Sequence, residues 1–411
     1  MSGPHHIQAC QACVKAKRKC TRQSPSCLRC RSRNIHCVYT PNKHSKWILL
    51  PETPPEDSLE TQRTSPENSI DSQKGPDLDV GTAVRGLDPL SSLDEEAAHE
   101  QLSGWFTSIH TWHVDRSEKV EYDAFMARDL GRYTNNLRGW LEQWVQTGGN
   151  PFVHPQMYRS RLPKSIQDVY MSLTCHLGVT VGNESIVERL IMDRSRALLQ
   201  EHGYDADARP LRPSHSKPTS ELDLLDHIAR VHALLVYQFI GLFGGSIKMR
   251  YAAQRRLALS EAWTRDMVAV AVSSVPSGIK HLLTQPGDTR NYEEDFITTL
   301  WHSWIVSETV RRTWNVMSSM VGLFDILQTG GPTPCPGSMI FTTRVGVWEA
   351  STAAAWQDIC SAEPVGMMQV AETSKLMTEG KPTEINNFAK VILELNYGSD
   401  KVAQWSHIGT S

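Results

Sequence analysis

The chain has 411 residues, 40% of them hydrophobic and 12 of them Trp, which is more than one ordinary domain needs and enough apolar material to exclude a wholly disordered protein. The formal net charge of -3 conceals a division. Residues 1–50 carry ten Lys or Arg and no acid, whereas residues 51–100 carry thirteen Asp or Glu against only Arg63, Lys74 and Arg85. A basic head followed by an acidic strap directs the search for nucleic acid to the head.

No apolar run precedes Cys10, so no secretory signal is read. The run Val231–Phe243 is interrupted by His232 and Gln238 and is too short to cross a bilayer, which predicts a buried core helix and no membrane partner. The expected setting is intracellular, where thiols stay reduced.

Six of the nine cysteines fall in the pattern Cys10-x2-Cys13-x6-Cys20-x6-Cys27-x2-Cys30-x6-Cys37, a Cys-x2-Cys-x6-Cys unit written twice. Among reduced thiols a Cys-x2-Cys pair is a metal clip, and thiolate-only ligation favours zinc over the oxygen-seeking cations. Six sulfurs complete two four-sulfur sites only if two of them are shared. The repeat points to the first cysteine of each half, so two Zn2+ per chain are expected, bridged by Cys10 and Cys27. Cys10, Cys13, Cys20 and Cys27 would hold one ion, and Cys27, Cys30, Cys37 and Cys10 the other. A disulfide scaffold lacks the secretory route it needs. An iron–sulfur cluster would use four ligands and leave two unexplained.

This spacing, with the basic run after Cys13 and Pro25 in the middle loop, resembles the fungal Zn2Cys6 binuclear-cluster family of transcription factors. The resemblance implies the same two bridging ligands, a major-groove helix and a CGG-like half-site in double-stranded DNA. Where the family usually has Arg, this chain has Val14 and Ala16, and Lys15, Lys17, Arg18 and Lys19 supply the charge. A short helix over Val14–Lys19 is predicted, with Lys17 at the base-reading position by resemblance. Lys15, Arg18, Lys19, Arg22, Arg29, Arg31 and Arg33 are expected on phosphates, which position without specifying. Metallated, the first fifty residues keep about plus eight, because six thiolates and two Zn2+ remove two charges. The resemblance also implies a nuclear location.

Residues 51–95 are rich in Pro, Ser and acid, with no aromatic residue, and a disordered acidic linker over 46–95 is expected between a zinc head (1–45) and the rest. No apolar heptad survives its prolines, so no coiled coil is read there. From about residue 96 the 3.6-residue period takes over, predicting a large all-α domain over 96–411. Leu137, Trp140, Leu141, Trp144 and Val145 share one face before Gly148-Gly149. Ile166–Leu177 follows a Ser165 cap, and Ile186–Leu199 stops at Gly203. Further helices are predicted at 221–243, 249–272, 293–328 and 384–395, with a strand at Met339–Phe341. Trp140–Val145 with Asn150-Pro-Phe, and Trp304–Trp314, resemble the fungal-specific regulatory domain that accompanies such heads. Glu308 with Arg311 and Arg312 one turn on reads as a buried ion pair, with a regulatory switch as the alternative. His110, His113, His227 and His232 lack converging ligands for a second metal, and Cys175, Cys335 and Cys360 read as small buried hydrophobes.

The function expected is sequence-specific regulation of RNA polymerase II genes through contact with the transcription machinery. By likeness to compact regulators of this kind, the target is a secondary-metabolite gene cluster and the effect activation. A repressor, or a regulator of primary metabolism, is the alternative. An enzyme with a zinc-binding appendage is disfavoured: no nucleophile elbow, His-Glu-x-x-His, P-loop or dinucleotide fingerprint occurs, and no catalytic residue is assigned. A homodimer, if formed, is expected through the helical domain.

Overall fold

A computed structural model describes residues 11–16, 18, 20–21, 27–33, 35, 37, 104–116, 127–211, 222–274, 296–330, 337–362 and 365–408. Two compact units make up the chain, Met1–Lys74 and Gly75–Ser411. The predicted linker over 46–95, together with both of its boundaries, lies outside the described residues.

Among the described residues, the first unit holds two five-residue helices, α1 (Gln11–Lys15) and α2 (Leu28–Ser32). The helix expected over Val14–Lys19 thus starts earlier and ends earlier. Its register is set by Cys13, which must face inward, and the amide of Arg18 closes the turn on the Cys13 carbonyl at 3.0 Å.

The second unit is helical. Helix α3 (Ala127–Thr147) buries Leu130, Tyr133, Leu137, Trp140, Leu141 and Trp144 along one stripe and stops where Gly148 takes φ +80°, a conformation that favours glycine. Asn150 then closes the corner: its Nδ2 donates to the Trp140 carbonyl, and its Oδ1 accepts from the amides of Phe152 and Val153. Helix α4 (Lys164–Leu177) begins without the predicted Ser165 cap, because Pro163 sets φ at -57° just ahead of it and Ser165 lies inside the first turn. Helix α5 (Glu184–Glu201) ends ahead of Gly203 at φ +83°.

Helix α6 (Leu224–Phe239) is the hub. Every residue but Asp226 is buried, and it packs against α4, α5 and the helices that follow. It opens with Asp223, whose carboxylate accepts the Asp226 amide. It closes in a π-turn, Ile240–Gly244. The predicted helix 249–272 is in fact two, α7 (Ile247–Arg255) and α8 (Leu257–Ser274). The break falls at Arg256, whose guanidinium is drawn inward to Ser195 Oγ at 3.0 Å and the Ala206 carbonyl. Helix α9 (Phe296–Thr329) runs 34 residues, about 51 Å.

The predicted strand starts two residues later and ends one later, sharing Phe341. β1 (Phe341–Thr342) pairs antiparallel with β2 (Met367–Met368), Phe341 facing Met368. Helices α10 (Ala353–Ala362), α11 (Ser374–Glu379), α12 (Asn387–Tyr397) and α13 (Ser399–Ile408) complete the described body.

Polar anchors tie α9 to this periphery. Arg312 Nε donates to Glu308 Oε1 at 2.8 Å, and that oxygen also accepts from the amide and hydroxyl of Thr342. Arg312 reaches the Pro151 carbonyl and lies over the rings of Trp348 and Phe388. Arg311 donates to Thr111 and to the Phe106 carbonyl and lies over Trp112. Glu308, Arg311 and Arg312 are all buried and form a structural ion-paired trio, in which Glu308 Oε2 and Arg311 Nη1 face each other at 4.0 Å without a hydrogen bond among the described residues. No helix among the described residues is long and apolar enough to cross a membrane.

Candidate metal centre

In the first unit Cys13 and Cys30 lie on α1 and α2, and Cys27 stands at the N-cap of α2, where its sulfur accepts the Cys30 amide at 3.4 Å. The repeat in the sequence is a repeat in the backbone. Arg18 N–H meets the Cys13 carbonyl at 3.0 Å, and seventeen residues on Ile35 N–H meets the Cys30 carbonyl at 2.9 Å. Each half therefore makes the same turn after its helical cysteine, Cys13 or Cys30, and returns its last cysteine, Cys20 or Cys37, to ligand distance.

The sulfurs gather into two triplets, Cys13–Cys20–Cys27 and Cys27–Cys30–Cys37, each with its ligand atoms within 4.8 Å of one another. Cys27 belongs to both. Cys13 Sγ and Cys27 Sγ are 3.7 Å apart. Two sulfurs at about 2.3 Å from one tetrahedral ion would lie about 3.8 Å apart, whereas a disulfide would bring them to about 2.0 Å. The thiolate donor set and its spacing fit zinc. Cys37 Sγ accepts the Cys27 amide at 3.3 Å, so a backbone N–H further fixes a ligand. Zinc supplies the cohesion that a segment with so small an apolar core lacks. Cys10, the other expected bridge, lies outside the described residues.

Around these sulfurs Lys15, Arg18, Arg31 and Arg33 are exposed. Arg29 is half-buried, and its Nη1 lies 3.9 Å from Cys13 Sγ, an orientation the spacing did not reveal. Lys17, Lys19 and Arg22 lie outside the described residues. Thr21 went unremarked in the sequence; its hydroxyl accepts the Leu28 amide at 2.9 Å and so braces the start of α2.

Elsewhere the chemistry-bearing residues serve the core. His232 sits between Tyr158 Oη and Thr313 Oγ1, each at 2.7 Å, and burial lowers its pKa to about 3. His227 meets Arg230, which also pairs with Asp266; burial, then the Arg230 charge, lowers its pKa to about 4. His110 and His113 are exposed. Cys360 is buried, its thiol pushed up to about 12 by desolvation. Cys175 is exposed, contrary to expectation, because it lies on the outer face of α4 opposite Val169 and Leu173. Cys335 is outside the described residues.

Residues 8–46 match the fungal Zn(2)-Cys(6) binuclear cluster domain. The transcription factor gsfR2 of Penicillium aethiopicum is 21% identical over 417 residues, covering 98% of this chain and 95% of its own length. The transcriptional regulator AacuR of Aspergillus aculeatus is 36% identical over 45 residues, 11% of this chain and 12% of its own. No solved structure matches the chain. With its paired cysteine triplets, the matched head belongs to the fungal Zn(2)-Cys(6) binuclear cluster family, and the chain is a zinc-binding, DNA-binding transcription factor.

Proposed function

We propose that the protein acts in the nucleus by placing α1 and the residues after it in the major groove of a CGG-like half-site. The observation that carries this reading is the pair of sulfur triplets sharing Cys27 beneath a rim of exposed Lys15, Arg18, Arg31 and Arg33. A rigid metal core fixes short helices that could not persist alone, and the cations over it meet phosphates. Lys17 is assigned to the bases, and Lys15, Arg18, Lys19, Arg22, Arg31 and Arg33 to the backbone. Cys10, Cys13, Cys20, Cys27, Cys30 and Cys37 are assigned as the ligands, with Cys10 and Cys27 bridging.

The domain scheme proposed is a zinc head over 1–45, a connecting strap over 46–95 and a regulatory body over 96–411, with any homodimer contact in the body. No catalytic role is assigned. The effect proposed is activation, and the target a secondary-metabolite gene cluster, on the likeness to compact regulators with this head. The test is direct. The full-length protein should carry two zinc ions by elemental analysis and prefer a CGG duplex over a scrambled one, and a chelator should abolish that preference while most helical signal survives. Genome-wide occupancy with a reporter then decides target and sign. Retained preference in chelator would defeat the reading.

A further inference from the structure

The two halves of the head repeat at seventeen residues, but they are not charged alike. Position 29, between the clip cysteines of the second half, is Arg; its counterpart in the first half is Ala12. Arg29 shares its helix with Arg31, and Arg33 follows, yet only Arg29 is drawn in, half-buried where the other two are exposed. Its Nη1 reaches across the pseudo-repeat to the buried Cys13 Sγ, 3.9 Å away. Ala12 has no side-chain donor with which to make the mirror-image contact to Cys30.

We propose that Arg29 is a positioning residue for the metal cluster rather than a phosphate contact, and that it makes the two metal sites unequal. The guanidinium donates to a thiolate of the first site, balances part of its negative charge and holds α2 against α1. The ion held through Cys13, Cys20 and Cys27 is therefore kept longer than the ion held through Cys27, Cys30 and Cys37. Arg31 and Arg33 are left to face DNA. This rests on the assignment of the six cysteines as ligands, and the experiment separates the two.

The full-length protein is assayed for zinc release into a chromogenic chelator, as wild type, Arg29→Gln, Arg29→Lys and Arg31→Gln. Two zinc ions per wild-type chain are required first; any other count removes the ligand assignment itself. Given two, wild type should release them in two phases of one ion each. Arg29→Gln should speed the slow phase roughly 10-fold, the low end of what losing an outer-shell partner costs. Arg29→Lys, which keeps the charge, should restore much of the difference, and Arg31→Gln should leave both phases alone. In cadmium-loaded protein, Arg29→Gln should shift one 113Cd resonance and spare the other. The salt dependence of DNA binding gives the opposing readout: Arg31→Gln should lower its slope by about 1 and Arg29→Gln should not. A single release phase in wild type overturns the proposal. So does an Arg29→Gln protein with unchanged release and a shallower salt slope. Equal loss of zinc in Arg29→Gln and Arg29→Lys also overturns it, by showing that shape alone matters at this position.

Discussion

Lys17 and Arg31 are proposed to carry charges of one sign to different ends. On that assignment, Lys17→Ala should cost about 1–3 kcal/mol of discrimination between a CGG site and a scrambled one. Arg31→Ala should weaken every sequence alike and shallow the salt slope by about 1; competition binding at several salt concentrations distinguishes the pair. In the body, Glu308 stands beside Arg311 and Arg312, both buried. Glu308→Ala should destabilise by about 3–5 kcal/mol in urea unfolding, the cost of stranding buried charge. Cysteine spacing announced the metal centre because spacing and coordination geometry are the same constraint. The reach of Arg29 to Cys13 was hidden, since that contact spans the repeat and depends on how two helices face each other. The exposure of Cys175 was hidden for a like reason: a thiol suits either face of a helix.

Long helices announced themselves because a buried stripe imposes a 3.6-residue period, as on α3 and α4. Helices α10 and α13 bury few side chains, chiefly Trp356 with Cys360 and Val402, and leave too short a record to read. The β1–β2 pair joins segments 26 residues apart through two residues each, which no local pattern encodes. The π-turn after α6 shows what an element boundary can hold. A Cβ on Gly241 would meet Ala253 Cβ at 2.7 Å and the Met249 carbonyl at 3.1 Å, so the turn seats α7 against backbone. Gly241→Ala should cost about 1–3 kcal/mol by overpacking, seen as a lowered thermal midpoint with the zinc content unchanged.

Across the whole molecule, buried neutral histidines set the response to acid. His154 and His232 are held to about 3 and His227 to about 4, burial being the first cause in each. Their folded pKa values lie below the unfolded value of about 6.5, so the unfolded chain takes protons that the folded chain refuses. Stability is therefore full above pH 6.5 and falls as the pH drops toward 3, by about 1.4 kcal/mol per pH unit for each such histidine. Urea midpoints of the helical signal at pH 7, 6 and 5 should decline with this slope, and His232→Gln should remove one proton's worth of it. A flat profile would show that these rings titrate alike in the folded and unfolded chain.

The anchors of α9 and its neighbours join residues far apart in the chain. Arg311 bonds Phe106, Trp348 bonds Asn150, and Ser399 donates to Asp129 across 270 residues. On the ribosome this distance becomes time. At about 5–20 residues per second, roughly 15–50 s separate the emergence of Asp129 from that of its partner, and throughout that interval the stripe of α3 has no C-terminal helix to cover it. The six clustered cysteines, confined to residues 10–37, emerge within a few seconds of one another. The clustered thiols of the nascent chain are thus all present long before the last anchors of its body can close.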